Sequence, residues 1–147
     1  MKANVRIEIE VAPGKAFDYF ADLSNNPEWQ SGVAETRWTT EPPVRIGSKC
    51  EQELEDGNVV GYVVTDIQQG KSITIETVFG AGMPATVTRT VAELNPARCR
   101  VTMDLVGKVR GWRVILAPLI RRAVESSIRS DYKRLKRVLE PEEPAED

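Results

Sequence analysis

The chain of 147 residues contains no histidine. That absence removes Ser-His-Asp and Cys-His nucleophilic machinery, most catalytic zinc sites, and the side chain that exchanges protons near neutrality. Any chemistry must come from carboxylates, Tyr, Lys, Arg or a water they hold, which argues against an enzyme. Nothing in the chain asks for a metal or a cofactor. Cysteine is nearly absent too: Cys50 and Cys99 form no C-x-x-C pair and read as two buried thiols in a reducing compartment rather than a disulfide. No apolar run approaches the roughly 18 residues a membrane span needs. The first residues pass from Met1-Lys2 straight into alternating Val5-Arg6-Ile7-Glu8, with no apolar leader core. These absences together predict a cytoplasmic protein.

What is present is ordinary for one soluble domain, with 41% hydrophobic and 29% charged residues. The net charge of −2 hides an asymmetry: residues 107–140 hold ten Lys or Arg against three acids, while residues 1–106 hold ten against fifteen. With a net acidic chain and no interleaving of aromatic and basic residues, a nucleic-acid partner is not expected.

Residues 3–11 alternate, with Val5, Ile7, Ile9 and Val11 opposed to Arg6, Glu8 and Glu10, the pattern of a half-buried strand. Pro13-Gly14 ends it and opens a helix to about Leu23, with Phe17, Phe20 and Ala21 inward. Ser24 is placed to cap a second short helix that contains Pro27 and ends at Gly32. Strands follow at about 33–39, 47–55, 59–69, 71–79, 85–94 and 98–107, separated by turn signals such as Asp56-Gly57-Asn58, Gly80 to Pro84 and Asn95-Pro96. Their spacing leaves no room for parallel crossovers, so the sheet should be antiparallel.

Residues 112–139 change period. Trp112, Leu116, Leu119, Ile120, Ala123, Val124, Ile128, Tyr132, Leu135, Val138 and Leu139 recur every three or four positions, the spacing of one long amphipathic helix. Pro118 either sits in its first turn or marks a kink after a separate turn at 112–117. A lone terminal helix buries such a stripe only against a curved sheet, and a curved sheet under a helix tends to enclose an apolar hollow. The Pro- and Glu-rich residues 141–147 have the composition of a disordered acidic tail, leaving 1–140 as one domain.

The order β, two short α, six β, one long α, with Pro13-Gly14-Lys15-Ala16-Phe17-Asp18-Tyr19-Phe20-Ala21-Asp22, Asn26-Pro27-Glu28-Trp29, Ile46-Gly47-Ser48, Leu116-Ala117-Pro118-Leu119 and Tyr132-Lys133-Arg134-Leu135-Lys136, resembles the START/Bet v 1-like (SRPBCC) superfamily. Within it the polyketide cyclase/dehydrase-like group is the nearest likeness, over residues 3–140. The resemblance implies an α+β helix-grip fold: a curved antiparallel seven-stranded sheet wrapped around one long C-terminal helix, with two short helices after the first strand. It is poor for function, because members include lipid carriers, aromatase/cyclases, receptors and quinone-binding proteins.

Alternation nominates the residues that face the hollow. Ile73, Ile75 and Phe79, with Thr77, form one face of 71–79; Cys99, Val101, Met103 and Leu105 form one face of 98–107. In 85–94 the apolar face Ala85, Val87, Val91 carries Arg89 inward. A guanidinium there is either an anchor for a ligand carboxylate or enolate, or a structural ion pair, or a side chain twisted to the rim. Gln52 opposes Glu51 and Glu53 and is either a polar group in the hollow or a satisfied core amide. Tyr62 either offers its hydroxyl to a ligand or simply packs. Trp29 closes one end of the sheet as core. The fold likeness implies that the turn at 56–58, the Gly80 to Pro84 loop with Met83, and Val109 to Trp112 border one opening.

The expected function is binding of a hydrophobic small molecule, lipid- or polyketide-like, by a carrier or sensor, through Arg89, Tyr62, Gln52, Ile75, Phe79, Met83, Met103, Trp112 and Leu116. The alternatives are a polyketide cyclase/dehydratase-type enzyme working without histidine, and a structural or regulatory module whose cavity is filled by its own side chains. The basic helix is a solvated face, so membrane contact is at most transient. No signal speaks to an oligomeric state.

Overall fold

The alternation in the first strand is used as expected: in the computed structural model, which describes residues 1–140, β1 (Lys2–Ile9) turns Ala3, Val5 and Ile9 into the core and its charged residues outward. Six further strands follow, β2 (Val33–Trp38), β3 (Lys49–Leu54), β4 (Val59–Gln68), β5 (Ser72–Phe79), β6 (Ala85–Asn95) and β7 (Arg98–Gly107). They form one antiparallel sheet in the order β1-β7-β6-β5-β4-β3-β2. Each consecutive pair from β2 to β7 is a hairpin, and β1 returns to the far edge beside β7.

Because β1 and β2 lie at opposite edges, the chain between them must cross the sheet. It does so as α1 (Pro13–Ala21), which packs on β5, β6 and β7, and a 3-10 helix at Leu23–Glu28. Pro13 sits in the first turn of α1, where its missing N–H costs nothing. The cap of the second helix is Asp22, not Ser24: the Asp22 carboxylate accepts from the Ser24 backbone N–H at 3.1 Å and from its hydroxyl at 2.6 Å.

After β7 the chain makes a 3-10 turn at Gly111–Leu116 and then α2 (Ala117–Leu139) with Pro118 in its first turn, so Pro118 sits at a junction between two helical segments. The fold is the helix grip: a curled seven-stranded sheet holding a long C-terminal helix. The far end of α2 is tied down. Lys136 Nζ donates to the Glu8 carbonyl at 3.0 Å and to Glu140 at 2.7 Å, and the Glu10 N–H donates to Glu140 at 2.9 Å. Asp131 accepts from the Ser31 N–H and hydroxyl.

The apolar stripe of the last helix is not one stripe. Tyr132, Leu135 and Leu139 are buried, and Ile120, Val124 and Ile128 are half-buried on the same face. Trp112, Leu116, Leu119 and Val138 are exposed and point away from the sheet. The premise that the sheet needs the whole stripe therefore fails for its first two turns. The acidic tail at 141–147 lies outside the described residues. No helix among those described is long and apolar enough to cross a membrane.

Candidate functional site

Arg89 lies at the middle of β6, paired across to Ile73 on β5 and Met103 on β7. Its neighbours Val87 and Val91 share its face, so the strand period carries the guanidinium under the helix, where it is only 3% exposed. It is neither at the rim nor in an ion pair: among the described residues no carboxylate bridges it. One terminal nitrogen donates to the Phe20 carbonyl at 2.8 Å and to Asn26 Oδ1 at 3.2 Å, and the cation lies over the Trp29 ring. Arg89 Nε has no hydrogen-bond partner among the described residues. Guanidinium is always charged in proteins, so a full positive charge sits here with neutral groups as its direct contacts.

A hollow of about 180 Å³ opens beside it. Ile75, Val87, Met103, Leu105 and Ile128 give it apolar walls, while Arg89, Tyr62, Tyr132, Gln52 and Asn26 bring polar atoms to it, with Gln30 and Asp131 also on its lining. The two phenols are suited to donate hydrogen bonds and not to act as bases. Burial pushes the Tyr132 hydroxyl up to about 12, partly offset by the Arg89 charge. Burial raises Tyr62 as well, again against the pull of Arg89. The Tyr132 hydroxyl feels that charge yet has no aligned hydrogen-bond partner among the described residues. Gln52 is a satisfied amide at one end, its Oε1 accepting from Asn26 at 3.1 Å and from Thr36 at 3.0 Å. It thereby fixes the Asn26 side chain whose oxygen faces Arg89. Cys50 and Cys99 are both buried and unbonded.

A second hollow of about 380 Å³ lies farther along the same side of the sheet, between the Gly82–Pro84 loop and Lys108–Arg113, with Ile120 on its helix wall. Met83 lines it and lies against Gly107, where a Cβ would come within 2.8 Å of the Met83 sulfur, so glycine is what lets the Met side chain lie there. Asn58 donates to the Gly80 carbonyl at 3.0 Å, bringing the 56–58 turn to the same end. The three segments expected around one opening are therefore neighbours. A further hollow, of about 440 Å³, lies elsewhere, between α1 and residues 40–44. Asp22 on its wall is already engaged by Ser24 and by Trp38 Nε1.

Of the nine residues nominated from sequence, Arg89, Tyr62, Gln52, Ile75 and Met103 meet at the first hollow, and Met83 lines the second. Phe79, Trp112 and Leu116 line neither. A bulge in β5 pairs Thr77 with Tyr62 but Phe79 with Gly61, which moves Phe79 to the outer face. There its ring covers the space a Gly61 side chain would fill. Trp112 and Leu116 belong to the outward stripe. Asn26, Asp131 and Tyr132 lie outside the nominated set, although Asn26 and Tyr132 both stand in segments that carry the family likeness. Trp29 is fully buried core, packed edge-on against Tyr132 with ring centroids 5.0 Å apart.

Comparison with known proteins fits this geometry. A family model described as "Polyketide cyclase / dehydrase and lipid transport" matches residues 1–140. Among solved structures, a START superfamily protein from Mycobacterium smegmatis superposes with TM-score 0.78 at 14% identity, covering 94% of this chain and 96% of that one. A protein from Thermus thermophilus gives 0.75 at 12% identity, covering 95% and 97%. The di-domain ARO/CYC BexL from the BE-7585A biosynthetic pathway gives 0.71 at 13% identity, covering 97% of this chain and 51% of BexL. At such identities the likeness is one of fold. No protein of curated function matches this chain in sequence.

Proposed function

Since the chain belongs to the polyketide cyclase/dehydrase and lipid transport family, we propose that it binds a hydrophobic small molecule, lipid- or polyketide-like, in the hollow between its sheet and its C-terminal helix. The observation that carries this reading is the state of Arg89: a buried cation with no ion-pair partner among the described residues, beside a hollow that also has apolar walls. An uncompensated buried charge costs several kcal/mol. A carboxylate or enolate oxygen on an otherwise apolar ligand would remove that cost while its remainder fills the space along Val87 and Leu105 toward the second hollow. The open volume favours a ligand over an interior filled by the protein's own side chains. We assign residues 1–140 to this one ligand-binding domain and place it in the cytoplasm.

A cyclase/dehydratase-type enzyme is the second reading, favoured by the convergence of the Tyr62 and Tyr132 hydroxyls beside Arg89. Such a group would stabilise an enolate oxygen with a cation and two protonated phenols. Asp131 is the carboxylate on the hollow's lining, and the Ser31 N–H and hydroxyl already bond one of its oxygens. With no histidine in the chain to carry a proton, binding is the better-supported reading.

The test is a displacement assay with paired ligands, long-chain or polycyclic acids against their methyl esters, on wild type and Arg89→Gln. A charge-assisted contact in a low-dielectric site is worth about 1.5–3 kcal/mol, so the acids should lose roughly ten- to a hundred-fold in affinity and the esters much less. Equal loss for both, or no loss for either, would rule out the anchoring role.

A further inference from the structure

We infer that the segment from Lys108 to Arg122 is a docking surface for an anionic lipid bilayer. The segment contains the outward half of the divided stripe: Trp112 is 70% exposed and Ile115 82%, with Val114 and Leu119 also more than half exposed. Soluble surfaces scatter large apolar side chains singly, whereas here they occupy successive turns of the 3-10 segment and the start of α2. Around them stand Lys108, Arg110, Arg113, Arg121 and Arg122, all exposed, and no Asp or Glu occurs from 105 to 124. Among the described residues only Arg121 of these five is ion-paired, with Glu125 at 3.1 Å.

Charge selects the occupant. A second copy docking by the same patch would set five cations against five, because a two-fold interface brings identical surfaces together. An anionic bilayer meets both features at once, the cations at its headgroups and Trp112 with the aliphatic side chains at the acyl boundary, the composition that membrane interfaces favour. The contact is of the reversible kind, since it needs no rearrangement of the buried core. Position supports the same occupant. Lys108, Arg110 and Arg113 also line the second hollow, so a bilayer on this surface lies against that hollow.

Vesicle binding is measured without any ligand, so this inference and the cavity reading fail separately. The probes are phosphatidylcholine vesicles with and without a quarter phosphatidylglycerol, followed by co-sedimentation and by quenching of Trp112 with brominated acyl chains. Wild type should bind the anionic vesicles, and added salt should weaken that binding. Trp112→Ser with Ile115→Ser should reduce partition by about tenfold or more through lost apolar burial. Arg113→Glu with Arg122→Glu should remove the preference for anionic lipid. These positions are exposed, and an unchanged melting temperature would show that each variant folds. Failure of wild type to bind the anionic vesicles, or equal binding by the variants, would overturn the inference. So would a dimer broken by Trp112→Ser in a protein that ignores vesicles, which would give the face to a second copy.

Discussion

The Arg89 guanidinium carbon stands 4.9 Å from the centroid of the Trp29 indole, so the one buried charge among the described residues rests on a ring face where an ion-pair partner would ordinarily be. The ring's negative face contributes roughly 0.5–2 kcal/mol to such a cation. Two oxygen acceptors, the Phe20 carbonyl and Asn26 Oδ1, share one terminal nitrogen. Together they hold the side chain in place without neutralising it. A residue kept for stability would be expected to have a counter-charge, whereas one kept for a ligand has reason to lack it.

Arg89→Met tests that distinction through stability. Replacing the cation by an unbranched apolar chain of similar reach relieves its desolvation, while leaving two acceptors short of a donor and losing the contact to Trp29. These terms oppose each other at about 1–3 kcal/mol per unsatisfied group and several kcal/mol for the buried charge. The variant should unfold in urea within about 2 kcal/mol of wild type, in either direction. A loss greater than about 4 kcal/mol would identify Arg89 as a structural element of the core.

The two faces of the last helix should separate cleanly under truncation. Leu135 is fully buried in the core, on the helix that packs against β1, so Leu135→Ala should cost about 2–5 kcal/mol by lost transfer energy and the cavity left behind. Leu119, in the first turn of the same helix and on its other face, is 63% exposed, and Leu119→Ala should change stability by no more than about 0.5 kcal/mol. Chemical denaturation of both variants decides it; comparable losses would mean the first turns of α2 pack on the sheet after all.

That pair of leucines also marks where the sequence stops being legible. All seven strands are found within about three residues of the segments expected from alternation and turn residues, because each hairpin is a local event written in its own residues. The stripe at 112–139 reads as one surface since a period of 3.6 drifts around the helix. Leu116 and Leu119 lie on one side of the seam and Ile120 and Val124 on the other, and only the sheet's curvature decides which is covered. Phe79 departs from expectation for a different reason. Ile73, Ile75, Thr77 and Phe79 keep perfect alternation, and the bulge that breaks it answers to Gly61 on the neighbouring strand. Alternation alone places Arg89 correctly inward, but its partners lie far away in sequence, at Phe20, Asn26 and Trp29, and single-residue patterns carry no information about such contacts. Asp131 escapes notice likewise, since its role depends on Ser31, a hundred residues away.

Alkaline pH should unfold the protein in a predictable window. Cys50 is 2% exposed, and burial raises its thiol from 9.0 to about 11, against the opposing pull of Arg89. Tyr132 is raised from 10.0 to about 12, mainly by burial. In the unfolded chain these protons leave near 9 and 10, while the folded chain keeps them about two pH units longer. Over that interval the unfolded state binds fewer protons, so the free energy of unfolding falls as pH rises. The stabilisation from the protonated thiol is whole below pH 9 and gone above about 11; that from the phenol is whole below pH 10 and gone above about 12. Each pKa unit corresponds to about 1.4 kcal/mol, so each group accounts for up to roughly 3 kcal/mol. Urea midpoints measured at intervals from neutral pH to about 11.5 should decline in wild type. Cys50→Ala should flatten the first part of the decline and Tyr132→Phe the second. The phenylalanine variant should lose little at neutral pH, because the hydroxyl it removes has no aligned hydrogen-bond partner among the described residues. Midpoints that stay level across the window would mean that both groups reach water in the folded protein.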